Sequence, residues 1–295
     1  MAKNQKIGIG LIPKKPTVQE VETYITELSQ HFPHFQALIL PRRRDENFSG
    51  LINNPNVEFV FTKKSHIDVV ASGYCLMAAA RADELDWLFF NVGIKRYSPE
   101  IFAAFIKEGL RASCNLGQMV FCSPPDIRPD KANANEMAAL KHDAIRKRIL
   151  IDTVINYVFS RALSMPYSNI NAGLFGVRRD AIKYLLSVGD YNDSSLLCSQ
   201  ILWHLKRSGG EDFVIKSIPV DNINMDHLSF SQEKAVAELT FVFKEAGKAG
   251  RWISPRHLVS DFFAEKASFN RWVTKKDEDW FFSNIVPPLE KALNQ

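Results

Sequence analysis

Short apolar runs alternate with helical periodicities over the first half of the chain. Ile7–Ile12 (IGIGLI) is an uninterrupted apolar run stopped by Pro13, the pattern of a buried strand. Val21, Tyr24, Ile25 and Leu28 then recur at helical spacing and predict a helix from Val18 to Phe32. Thr17, with Glu20 three residues on, supplies a capping box in front of it. Further strands are predicted at Ala37–Leu40, Val57–Phe61, Trp87–Asn91 and Gln118–Cys122, with helices at Ile67–Ala82 and Pro99–Leu110 between them. From Asn135 to Met165 the pattern is one or two helices. Their apolar positions are Ile145, Ile149, Val154, Val158 and Leu163; Lys141, Arg146, Lys147 and Arg148 are polar, and Arg146 and Arg148 are expected on the exposed face. Ala172–Val177 and Val214–Val220 read as strands, and Ala181–Ser187 and Ser194–Lys206 as helices. After Ser231 the chain is mostly helical and rich in Trp and Phe, which is expected to pack as a C-terminal appendage.

Strand–helix alternation of this kind predicts an α/β fold with a mostly parallel central sheet flanked by helices. The change of pattern near residue 230 divides the chain into an α/β domain over 1–230 and a helical extension over 231–295 packed on it. In open α/β sheets ligands sit in the crevice beyond the carboxyl ends of the strands.

Composition narrows the classes. The chain has 295 residues, 46% of them hydrophobic and 24% charged, which is ordinary for a globular protein able to bury a large core. A net charge of +4 is too small to point to nucleic acid by itself. The four cysteines are far apart with no CxxC spacing, so reduced thiols are expected rather than a zinc site. No segment approaches the roughly 18 uninterrupted apolar residues of a membrane span. A cytoplasmic protein without an integral membrane segment is expected, with peripheral membrane contact left open. There is no Walker loop, GxGxxG, HExxH or GxSxG.

Cations follow each early strand. Lys14–Lys15, Arg42–Arg43–Arg44, Lys63–Lys64 and Lys95–Arg96 place nine of them on four loops. Parallel strands bring such loops to one edge of the sheet. Converging Lys and Arg there favour phosphate or another polyanion through charge-assisted hydrogen bonds. For a single pair, solvated charge at a loop tip is the preferred explanation; the anion site rests on the four loops together.

The order of these elements resembles the GT-A-fold glycosyltransferases of the family-2 kind, and within them the polyprenyl-phosphate sugar transferases. Ile7–Pro13 is similar to the family's first strand. Gly73–Tyr74 with Met77–Arg81 resembles its Gly-Tyr/Lys-Gly-x-Ala segment. Trp87–Gly93 (WLFFNVG) occupies the place of the strand that carries the metal-binding DxD, and Ser98–Pro99–Glu100 looks like the Asp-Pro-Glu that follows it. Asn169 to Arg179, with Gly173 and Arg178, is similar to the family's Asp-x-x-Ser-Gly-Phe-Arg segment. Asp193 falls where the family has its acceptor-side carboxylate, and His227 where some members have a late metal-binding histidine.

The sequence departs from the family at its carboxylates. The acidic end of the second strand is Pro41 followed by three arginines, and the DxD is Asn91-Val92-Gly93. DxD carboxylates hold Mg²⁺ or Mn²⁺ against the donor diphosphate, so any such ion is expected to be held weakly here. The resemblance implies transfer of a sugar from a nucleotide-diphosphate sugar to an unidentified acceptor, with no nucleic-acid partner and with basic residues partly replacing the metal. The expected substrate-binding residues are Pro13, Lys14, Lys15, Arg42, Arg43, Gly73, Asn91, Gly93, Lys95, Arg96, Gly173 and Arg178. Asp193 is the candidate general base, with a helix N-cap as its competing reading, and His227 the candidate metal ligand. Asn91 is read either as a donor contact or as a polar strand end. Two alternatives stay open: a degenerate GT-A-like scaffold that binds anions without turnover, and a nucleotidyltransferase of related topology.

Overall fold

The structure is a computed structural model. It describes residues 6–12, 17–31, 36–39, 57–59, 85–92, 94–111, 118–123, 138, 140–163, 174–178, 214–219, 229–248, 254–269 and 272–294. Strands β1 (Ile7–Ile12), β2 (Gln36–Ile39), β3 (Val57–Phe59), β4 (Trp87–Val92), β5 (Gln118–Ser123), β6 (Leu174–Arg178) and β7 (Val214–Pro219) form one sheet in the order β3-β2-β1-β4-β6-β5-β7. Each lies on an apolar run identified above, with ends displaced by at most two residues. The expected helices at Ile67–Ala82, Ala181–Ser187 and Ser194–Lys206 lie outside the described residues.

β1 pairs in parallel with β2 and with β4, and β2 with β3. β6 runs antiparallel to both β4 and β5. The sheet is thus largely parallel, with β6 inserted in the opposite direction. From β1 the chain moves outward to β2 and β3, then returns to the other side of β1 to form β4. The carboxyl ends of β1 and β4 therefore flank the point where the order reverses, which is where such sheets bind ligands.

The chain separates into two compact units. The first comprises residues 1–122 and 172–223 and holds the sheet. Helices α1 (Val18–His31) and α2 (Pro99–Arg111) belong to it. On one face of the sheet, Ile9, Leu11, Trp87 and Phe89 meet Val21, Tyr24, Ile25 and Leu28 of α1 and Phe102, Phe105 and Ile106 of α2. Alternation along the strands sends these side chains to one side. Trp87 and Phe89 stack with ring centroids 5.4 Å apart, and Phe105 meets Phe89 edge-on at 6.1 Å. On the opposite face Phe90 stacks on Phe175 at 4.6 Å. Each such side chain, fully buried, contributes about 1.5–3 kcal/mol.

The second unit comprises 123–171 and 224–295. Its helices are α3 (Asp143–Leu163), α4 (Gln232–Lys248), α5 (Pro255–Phe269), α6 (Lys275–Asn284) and α7 (Val286–Leu293). Helix α3, which the sequence pattern groups with the domain before residue 230, packs against α4 and α5 in this unit. Phe262, Phe263, Trp272 and Phe281 are buried there, so these aromatics form the core of the helical unit.

The expectation that Arg146 and Arg148 line an exposed face is corrected by their partners. Arg148 donates to both oxygens of Asp152, one turn on, and to Glu238 Oε2 at 2.7 Å on α4. Arg146 forms a bidentate pair with Asp277 and also donates to the Trp272 carbonyl at 2.7 Å. Charge spacing along one helix cannot reveal acceptors carried by another, and those acceptors are what make burial of the guanidinium affordable.

Candidate functional site

β1, β2, β3 and β4 run parallel, so their carboxyl ends share one edge of the sheet. Lys14, Lys15, Arg42, Arg43, Lys63 and Lys64 follow β1, β2 and β3 along the sequence but lie outside the described residues, as do Pro13, Gly73, Gly93, Gly173, Asp193 and His227. Asn91, Lys95, Arg96 and Arg178 are described.

The segment after β4 is anchored at both ends. Ile94 is 6% exposed and Tyr97 fully buried, and both join the core beneath α1 and α2. Between these apolar anchors Lys95 is exposed and Arg96 half-buried. The turn leads directly into Pro99 at the start of α2, a position where the missing N–H costs nothing. Two adjacent cations are thus presented on a short segment pinned by hydrophobic burial.

Lys95 Nζ lies 2.8 Å from Glu20 Oε1. Glu20 is the third residue of the expected capping box: its Oε2 accepts from the Thr17 N–H at 2.6 Å, and its own N–H donates to Thr17 Oγ1 at 3.2 Å. The Lys95 ammonium and the Thr17 N–H hold the Glu20 carboxyl below its ordinary range, so it is ionised at neutral pH. Arg96 sits with its guanidinium 5.4 Å from the centre of the Tyr97 ring. Its Nε is buried and has no hydrogen-bond partner among the described residues.

Asn91 has no exposed surface. Its Nδ2 donates to the Tyr24 hydroxyl at 2.7 Å, tying the end of β4 to α1. Burial pushes the Tyr24 phenol far above its ordinary range, so it stays neutral at any working pH. Asn91 Oδ1 is buried without a partner among the described residues. Removing the hydroxyl should leave the whole amide unmatched. Tyr24→Phe is expected to destabilise the first unit by about 1–3 kcal/mol, read from the urea midpoint; no loss would mean that the pair contributes nothing.

Arg178 is not brought to this rim. It pairs with Trp87, whereas Asn91 pairs with Leu174 at the other end of β6. Four residues of strand, about 13 Å at roughly 3.3 Å each, separate those two levels. The antiparallel direction of β6 is the reason, and nothing in the local sequence announces that direction.

The residues at the end of β4 do not fit a divalent cation. Asn91 offers one neutral oxygen from within the core, and no cluster of three His, Cys, Asp or Glu side chains suited to a metal occurs among the described residues. Glu20 and Tyr24, which sequence reading took only as a cap and an apolar helix position, are the partners it missed. Their roles follow from β4 lying beside β1.

The fold is similar to that of solved GT-A-type glycosyltransferases. Glucosyl-3-phosphoglycerate synthase from Mycobacterium tuberculosis in complex with UDP matches over 83% of this chain and 81% of its own, at 10% identity and a TM-score of 0.50. The same enzyme with Mn²⁺ and UDP-glucose matches over 83% and 80%, at 9% identity and 0.50. A mycobacterial protein matches over 83% and 76%, at 11% identity and 0.50. At these identities the likeness establishes the fold. No protein-family model matches the sequence, and no curated protein matches it. No helix among the described residues is long and apolar enough to cross a membrane.

Proposed function

We propose that this protein is a glycosyltransferase that moves a sugar from a nucleotide-diphosphate sugar to an acceptor hydroxyl or phosphate. Side-chain cations partly replace the charge neutralisation usually given to a metal. The observation that carries this reading is the Lys95–Arg96 pair, held on a pinned turn where the carboxyl ends of β1 and β4 flank the reversal of strand order. The GT-A-like fold supports it, since M. tuberculosis glucosyl-3-phosphoglycerate synthase has been solved with UDP and with UDP-glucose.

In this reading the donor diphosphate lies over the carboxyl edge of the sheet. Lys95, Arg96 and the loop cations Lys14, Lys15, Arg42 and Arg43 meet its oxygens. Pro13, Gly73, Gly93 and Gly173 shape the loops around it. The bond between the anomeric carbon and the diphosphate oxygen breaks as a bond to the acceptor oxygen forms. The acceptor proton passes to a base, for which Asp193 is proposed, and the nucleoside diphosphate leaves with its charge met by the cations. His227 and any weakly held Mg²⁺ or Mn²⁺ stand outside these steps, because the described donor set does not fit a cation.

The test is thermal shift with UDP-, GDP- and dTDP-sugars in excess EDTA, followed by release of free nucleotide. A donor sugar at about 100 times its Kd should stabilise by ~2.7 kcal/mol. Stabilisation by one of them that survives EDTA is expected, together with nucleotide release that falls in Asp193→Ala. Binding abolished by EDTA would refute replacement of the metal. Binding without release by the wild type favours the second reading, a catalytically degenerate anion-binding scaffold, whose own support is the loss of carboxylates at Asn91-Val92-Gly93.

A further inference from the structure

The two cations after β4 differ in how they are satisfied. Lys95 already has a carboxylate, Glu20, at 2.8 Å. Arg96 keeps a buried Nε without a partner among the described residues, an unfavourable state for a charged donor. One cation of the rim is neutralised by the chain itself, and its neighbour is short of an acceptor.

The Glu20–Lys95 pair is asymmetric. Glu20 is fixed by the cap of α1, because its other oxygen is taken by the Thr17 N–H and Thr17 Oγ1. Lys95 reaches it with a flexible four-carbon stem ending in a point charge. Their side chains are 38% and 44% exposed, so water is at hand to ease any exchange of partners. When the pair opens, Glu20 stays and Lys95 moves.

We infer that Glu20 is a built-in competitor for the anionic ligand of this rim, and that Lys95 exchanges the Glu20 carboxylate for a phosphate oxygen when that ligand binds. Glu20 thereby sets affinity. It screens Lys95 from weakly charged anions, and only a ligand with enough phosphate charge displaces it. The inference rests on the reading of the β1/β4 rim as a diphosphate site.

Glu20→Gln separates competition from capping, since glutamine serves the capping box as well as glutamate does but carries no charge. Calorimetric titration with UDP and with inorganic pyrophosphate should show both bound about two- to fivefold more tightly by Glu20→Gln, the range of an exposed ion pair. In a Lys95→Met background the same change should make no difference to either Kd. Equal affinity of Glu20→Gln and wild type for both probes would overturn the inference alone. So would an undiminished gain in the Lys95→Met background, because the effect would then be a general field rather than competition for Lys95. A wild-type protein that binds neither probe would overturn the reading of the rim and this inference with it.

Discussion

Arg148→Ala should destabilise the helical unit by about 3–5 kcal/mol, because it strands two buried carboxylates without their cation. Asp152 is 7% exposed and Glu238 1% exposed. Arg148 answers both, with Nη2 2.5 Å from Asp152 Oδ1 and Nη1 2.7 Å from Glu238 Oε2. Lys234, on the same helix as Glu238, is 3.9 Å from Glu238 Oε1 and half-exposed. Burial, with the nearby Asp152 charge, already raises the Glu238 pKa above its ordinary value, although Arg148 pulls it down. Without Arg148 that pKa rises further. The folded variant then binds a proton that the unfolded chain does not, so its stability falls as pH rises through the folded pKa. The penalty should be larger at pH 8 than at pH 5 in urea unfolding. A cost under about 1 kcal/mol, the same at both pH values, would show that the triad is solvated. Replacing all three members by apolar residues of matching volume should be far milder, since no charge is left buried.

Phe89→Ala should cost the first unit about 3–5 kcal/mol by opening a cavity at the centre of its core. The ring is fully buried between Trp87 and Phe105. It also reaches across to β6, where Phe89 and Gly176 are register partners. A Cβ on Gly176 would lie 2.5 Å from two carbons of the Phe89 ring, so glycine is required at 176 by close approach. Gly176→Ala alone should cost about 1–3 kcal/mol as an overpacked site. With Phe89→Ala already present, the added methyl meets open space and its cost should largely vanish. Urea midpoints of the two single variants and the double give the coupling directly, and strict additivity would refute the contact.

The fold was legible to different depths in different elements. Ile7–Ile12 and Trp87–Val92 are apolar runs bounded by polar or turn residues, and each is a strand. The Thr17–Glu20 capping box is present as the spacing required. These features depend on neighbours along the chain. The Thr274–Asp277 box on α6 has the same spacing with Asp in place of Glu, and its acid also serves Arg146 from α3. Arg178 shows the opposite limit: a cation after a predicted strand lies at the far edge once that strand runs antiparallel. Arg148 shows it too, since its acceptor on α4 is 90 residues away.

The order of apolar runs and helical periodicities determined that this chain builds an α/β sheet with a helical tail and that cations trail its early strands. Those properties are written in spacings of a few residues, where period 2, period 3.6 and the caps act. Tertiary structure alone decided that β4 lies beside β1, that Glu20 thereby reaches Lys95, that Tyr24 closes over Asn91, and that Arg148 is buried. Each of these joins residues far apart in sequence. The packing of whole elements chooses such neighbours by burying apolar faces, and the charged and polar side chains carried along find their partners only afterwards.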